Sequence, residues 1–152
     1  MKVASRLLRG AKAILPLYRL ENWKSLSNEE ICVEIYKVYA AANLPLYSSK
    51  LDPSLNARFA YLFYKIDDPD SCVQASIAAI EALENPESKF FKDYSPDERM
   101  YLIVYAKYLS IWCKSETDKI EEIKALFSSL NLENIRQIYL DDFPLNSQFL
   151  TS

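Results

Sequence analysis

The chain contains a single glycine, Gly10, among 152 residues. Glycine supplies the positive backbone φ angles of tight β-hairpin turns, so this chain has few means of folding into antiparallel strands. Glycine-rich loops also bring the backbone close to phosphate groups in P-loops and dinucleotide-binding sites. The sequence therefore favours helices and excludes the common nucleotide-binding motifs.

The chain also lacks histidine. This absence excludes Ser-His and Cys-His catalytic pairs, histidine-ligated zinc and Glu-x-x-His di-iron sites. An enzyme or ligand carrier would have to use carboxylates, tyrosines and lysines in a helical pocket. We therefore predict that the protein is not an enzyme and uses no metal and no cofactor.

Signals for helix starts are frequent. Ser27–Glu30 and Ser95–Glu98 are capping boxes, in which the serine and the glutamate each bond the other's backbone amide. Aspartate followed by proline gives a similar signal at 52–53 and 68–69. A further helix is expected to begin from a cap at Ser115 or Thr117.

Apolar spacing agrees with these starts. One apolar face is expected on each of three helices, at intervals of three and four residues. The three faces are Leu55, Phe59, Leu62, Phe63 and Ile66; Val73, Ile77, Ile80 and Leu83; and Ile120, Ile123, Leu126, Phe127 and Leu130.

Residues 96–114 differ, because they are apolar nearly all round between Met100 and Cys113. A helix of this kind must be surrounded by others, so we place it at the centre of the fold. Its expected core residues are Tyr101, Tyr105, Tyr108 and Trp112. Its narrow polar stripe consists of Arg99, Lys107, Ser110 and Lys114.

These patterns predict an all-α fold of six to seven antiparallel helices, packed as helical hairpins around the helix at about 96–114. The length predicts a single domain, residues 1–152. A weak similarity between segments 58–65 and 100–107 leaves open a repeat of two-helix units.

Charge is distributed unevenly along the chain. Residues 1–20 carry five basic groups and no acid, and residues 21–152 carry 13 basic and 21 acidic groups. An acidic body argues against nucleic-acid binding and suits a basic protein partner. The basic face of the expected first helix consists of Lys2, Arg6, Arg9 and Lys12.

The apolar runs and the cysteines of the sequence predict where in the cell the protein is located. No apolar run reaches the ~20 residues of a membrane span. The three cysteines, Cys32, Cys72 and Cys113, are far apart and lie in apolar helical stretches, so we expect buried, reduced thiols in a cytoplasmic protein.

Two groups of residues are candidates for binding a partner. The first is an acidic and aromatic tail, Tyr139, Asp141, Asp142 and Phe143, followed by Phe149 and Leu150. The second is the pair Glu121 and Glu122. An alternative is that Phe143 and Phe149 only tie the C-terminus to the core. The cluster Asp67–Asp70 does not fit a calcium loop, because the required glycine and glutamate are missing.

Two functions remain open. The first is a non-catalytic cytoplasmic protein-protein interaction domain, in its sharpest form an acidic inhibitor or immunity-type protein that neutralises a basic toxin or nuclease. The alternative is a helical-repeat adaptor or scaffold that binds peptides in a groove. A superhelical stack with an exposed aromatic groove would favour this alternative, and a globular bundle would count against it.

Overall fold

The computed structural model describes residues 23–42 and 48–145. Every regular element in these ranges is a helix, which confirms the all-α class. The α-helices are α1 Asn28–Ala42, α2 Pro53–Lys65, α3 Pro69–Glu84, α4 Pro96–Lys114, α5 Ile120–Ser128 and α6 Gln137–Asp142. Short 3-10 helices lie at Trp23–Ser25, Phe91–Asp93, Thr117–Lys119 and Leu132–Asn134. The basic N-terminal face and Phe149 and Leu150 lie outside the described residues.

The predicted caps form the helix starts, with one exception. Ser27 Oγ accepts the Glu30 amide at 3.2 Å, and the Ser95 hydroxyl accepts the Glu98 amide at 3.1 Å. The aspartates at 52 and 68 cap α2 and α3. The prediction of a cap at Ser115 or Thr117 is wrong. Ser115 has a φ of 57° and ends α4, and a 3-10 turn then leads into α5.

The core is built around two helices. As expected of a central helix, α4 packs against α2, α3 and α5. Helix α2 is equally enclosed, because every residue from Pro53 to Ala60 is buried. The centre that the sequence assigns to 96–114 alone is therefore shared with α2.

Two residues that the sequence places in the core lie at the surface instead. Trp112 is 45% exposed, because it lines an open groove between α2 and α4 together with Tyr64, which is 48% exposed. Ile77 is 39% exposed, because it lies in a second groove between α3, α4 and α5.

An ion pair between the buried Glu98 and the exposed Arg136 joins the C-terminal part of the chain to the start of α4. The Glu98 carboxylate is buried and accepts hydrogen bonds from Arg136 Nε at 2.8 Å and from the Arg136 amide at 3.0 Å. Burial alone would raise the pKa of Glu98, but the hydrogen bonds from Arg136 and Ser95 outweigh it and lower that pKa.

The cysteines are free, as expected, but only one of them is fully buried. Cys72 is in the core and Cys113 is half-buried beside it, and burial together with the nearby Cys113 thiol raises the pKa of Cys72. Cys32 is exposed, contrary to expectation, because α1 turns the adjacent Ile31 to the core and Cys32 away from it.

Candidate functional site

The predicted tail patch is largely part of the core. Phe143 is fully buried, its ring lies 5.0 Å from that of Tyr105, and its carbonyl accepts the Tyr101 hydroxyl at 2.5 Å. Phe143 is therefore in the core and not at the surface that the partner-binding prediction requires, and its part in binding stays a prediction that this burial does not support. The burial agrees with the alternative that Phe143 ties the C-terminal segment to the core, whereas Phe149 lies outside the described residues.

The two acids of the tail, Asp141 and Asp142, lie in different environments. The Asp142 carboxylate lies 2.5 Å from the Arg58 guanidinium, which is only 2% exposed. Asp142 is thus occupied in compensating a buried charge. Asp141 is exposed, and its carboxylate accepts a hydrogen bond from Gln137 at 2.8 Å. Tyr139 is half-buried, with its ring 5.6 Å from that of Tyr94.

The second predicted group, Glu121 and Glu122, lies on the exposed side of α5. Glu121 pairs with Lys124 at 3.6 Å, and Glu122 lines the groove that contains Ile77. Of the six predicted partner-binding residues, Asp141, Glu121 and Glu122 therefore remain at the surface.

The most distinctive concave surface is a groove lined by aromatic side chains, which we call the aromatic groove. It has a volume of about 420 Å³ and lies between the outer sides of α2 and α4. Its lining residues are Lys24, Tyr61, Tyr64, Tyr105, Tyr108, Leu109, Trp112 and Pro144.

Helical spacing explains how so many rings come together. Tyr105, Tyr108 and Trp112 recur at intervals of three and four residues, so they project from one face of α4. Tyr61 and Tyr64 do the same on α2. The rings of Tyr108 and Trp112 meet edge to face, with centroids 6.1 Å apart and planes at 82°. Such a contact holds the two rings in a defined orientation.

The groove has a buried floor and exposed walls. Tyr105 and Leu109 are buried at the floor, and Tyr64 and Trp112 are about half exposed. Burial raises the pKa of Tyr105, so its hydroxyl stays protonated. The surface thus offers apolar ring faces together with hydroxyl and indole donors.

A second groove of about 410 Å³ continues the first, because Tyr64 and Trp112 line both. It is completed by Lys65, Asp67, Pro69 and Cys113. Lys65 Nζ donates to the carbonyls of Lys24, at 2.6 Å, and Leu26, at 2.8 Å. These bonds fix the segment that precedes α1 beside the groove.

The sequence patterns considered above do not predict this surface, although the sequence contains a signal for it. Tyr61 and Tyr64 lie on the side of α2 opposite its apolar face of Leu55, Phe59 and Leu62. Aromatic residues on the face expected to be polar are a sign of a binding surface.

A larger concave surface is of a different kind. It has a volume of about 790 Å³ beside the C-terminal end of α3, and its walls include Lys50, Glu81, Glu84 and Lys89. Phe90 is its single aromatic residue. Both signs of charge and few apolar faces make it a less specific site than the aromatic groove.

In comparisons with known proteins, no family model matches this chain, and neither does a curated protein or a solved structure. Within residues 23–42 and 48–145, no helix has both the length and the apolar character needed to cross a bilayer. In the same ranges, no three acidic or cysteine side chains converge as metal ligands would.

Proposed function

We propose that this protein is a non-catalytic interaction module that binds a proline-rich segment of a partner protein in the aromatic groove. The observation that carries the proposal is that two half-exposed rings, Tyr64 and Trp112, line one groove together with the buried Tyr105 and Leu109. Large aromatic rings are enriched among the residues that contribute most to protein binding.

The chemistry of the groove suits a polyproline II helix. That conformation has no internal hydrogen bonds, so its carbonyl groups need donors from the partner. Tyrosine hydroxyls and the Trp112 indole N–H are such donors, and the ring faces pack against proline. Aromatic-lined grooves are the usual means by which proteins recognise proline-rich segments.

The state of the reactive side chains supports a binding role. A general base or a nucleophile works best with a pKa near the ambient pH. Burial moves Cys72 and Tyr105 the other way, because it raises the pKa of both groups. Two neighbouring thiols that are not bonded to each other, Cys72 and Cys113, are in keeping with a reducing, cytoplasmic location.

The inhibitor hypothesis has less support than the groove. Its motivation is the acidic balance of the chain, which favours encounter with a basic protein and disfavours nucleic acid. Of its tail patch, Phe143 is in the core and Asp142 is paired with Arg58. Of the six residues predicted to bind the partner, the exposed acids Asp141, Glu121 and Glu122 are left to attract a basic toxin.

Fluorescence anisotropy tests the proposal with a labelled peptide that repeats Pro-Pro-Leu. The comparison peptide has alanine in place of proline. We expect Trp112→Ala and Tyr64→Ala each to weaken binding of the proline peptide by about tenfold or more. Tyr36→Ala is the matched control, because Tyr36 is 76% exposed on α1 and outside the groove. Equal binding of the two peptides, or equal effects of all three variants, would contradict the proposal.

A further inference from the structure

The groove that contains Ile77 lies on the side of α4 opposite the aromatic groove. At roughly 100° per residue, the direction of Lys107, Ser110 and Lys114 is about 160° from that of the rings in the aromatic groove. This groove, which we call the lysine groove, has a volume of about 290 Å³ between α3, α4 and α5. It contains the polar stripe of α4 that the proposed function leaves unexplained.

The floor of the lysine groove is apolar and its rim is cationic. Ile77, 39% exposed, lies at the floor with Ile111 and Ile123. Lys107, Lys114 and Lys119 stand at the rim. Two glutamates, Glu116 and Glu122, also line the groove, so it carries an excess of one positive charge on a chain whose net charge is −3.

The three lysines of the rim differ in whether their charge is already paired with a carboxylate of the chain. Lys119 pairs with Glu116 at 2.9 Å. Lys107 and Lys114 form no ion pair with any residue in the described part of the chain. Glu122 also lines the groove, so the rim is not uniformly positive. Glu116 also lines the groove and interacts electrostatically with Lys114, so Lys107 and Lys114 are the lysines of α4 without an ion pair in the described ranges and are not isolated charges.

The distance between Lys107 and Lys114 determines which kind of ligand can contact both lysines. Lys107 and Lys114 are two helical turns apart, which is ~10.5 Å along the axis. A ligand with a single anionic head group reaches one of them. An amphipathic helix with acids seven residues apart reaches both, and its apolar residues between them face Ile77.

We propose that the lysine groove binds an acidic amphipathic helix of a partner protein. Two carboxylates of that helix pair with Lys107 and Lys114, and one or two apolar side chains cover Ile77 and Ile111. The site is independent of the proline-rich ligand, because it lies on the other side of α4.

The test uses the full chain and a labelled helical peptide of about 16 residues, a length at which isolated helices begin to be stable. The peptide carries two glutamates seven residues apart with two leucines between them. Its control carries lysine at the glutamate positions. We expect the acidic peptide to bind and its affinity to fall with added salt, and the control peptide not to bind.

Charge reversal in the groove sharpens the test. We expect Lys107→Glu with Lys114→Glu to weaken binding of the acidic peptide by about tenfold or more. The matched control is Lys50→Glu with Lys92→Glu, which makes the same charge change at exposed lysines away from this groove. Lys114→Glu alone, at an exposed position, serves if the half-buried Lys107 does not tolerate glutamate.

Three results would overturn the proposal. One is equal binding of the acidic and basic peptides, and another is an unchanged affinity in the groove variants. The third is binding of palmitate or of phosphatidylserine vesicles, or self-association of the chain, that the groove variants abolish while the acidic peptide fails to bind. Binding of the proline-rich peptide is measured in the same variants, so the two proposals succeed or fail separately.

Discussion

Replacing Phe143 by alanine tests whether the C-terminal segment is part of the core. The side chain is fully buried, and its ring packs against Tyr105 and lies 6.0 Å from the Arg58 guanidinium carbon. Removing a buried phenylalanine ring costs about 3–5 kcal/mol, a range that includes the cavity left behind. The lost aromatic pair places this site in the upper half of that range, so we expect about 4 kcal/mol.

Urea unfolding followed by circular dichroism measures this loss. Thermal unfolding gives a second measure. At ~2–4 °C per kcal/mol for a domain of this size, the melting temperature should fall by about 8–16 °C. Phe143→Leu keeps most of the volume and should cost about 1–2 kcal/mol, so it gives a measurable value if the alanine variant does not fold. The matched control is Ile138→Ala on α6, because Ile138 is 55% exposed.

The reasoning would be refuted if Phe143→Ala and Ile138→Ala lowered the free energy of unfolding equally, by less than about 0.5 kcal/mol each. Such a result would return Phe143 to the surface and restore the tail as a candidate for partner binding. A large loss for Phe143 alone would confirm that the segment closes the core over α2 and α4.

Three further perturbations follow from buried or partly buried groups. Asp142→Ala leaves the Arg58 charge, 2% exposed, without its carboxylate, and we expect a loss of about 3 kcal/mol in urea unfolding. Because the pKa of Glu98 is lower in the folded protein than in the unfolded chain, its contribution to stability is present above a pH of about 4.3 and is lost as the pH falls further. The difference in unfolding free energy between the wild type and Glu98→Gln should therefore narrow on acidification, and a constant difference would contradict this. Iodoacetamide should modify the exposed Cys32 well before Cys72, whose pKa is raised by burial, and mass spectrometry of digested protein gives the order.

The sequence predicts the helices well because their starts are local. A capping box joins residues three positions apart, and apolar spacing is visible within a single helix. The error at Ser115 has a local cause too. Serine accepts a left-handed conformation at a helix end as well as a capping role, and the chain has no glycine there to mark the end of α4.

The sequence places the acidic and aromatic tail at the surface because the residues that it contacts in the fold are distant in sequence. Arg58 and Asp142 are separated by 84 positions. An acid next to an aromatic residue has the same pattern whether it faces solvent or a buried arginine. Nothing near Asp142 indicates that α2 buries an arginine opposite it, so the exposed patch and the structural tie could not be distinguished.

The two residues that the sequence wrongly assigns to the core, Trp112 and Ile77, share one structural feature. Trp112 and Ile77 carry apolar side chains of the kind that a core requires, yet each lies at an open groove with its neighbours arranged around it. A sequence that is consistent at most positions is expected to depart from the rules of folding where it serves a function. Exposed apolar side chains are costly to leave in water, and a partner that covers them removes that cost. The exposure of Trp112 and of Ile77 is also the observation on which the two proposed binding surfaces rest, so the failures of core prediction at these residues point to the same two grooves, one on each side of α4.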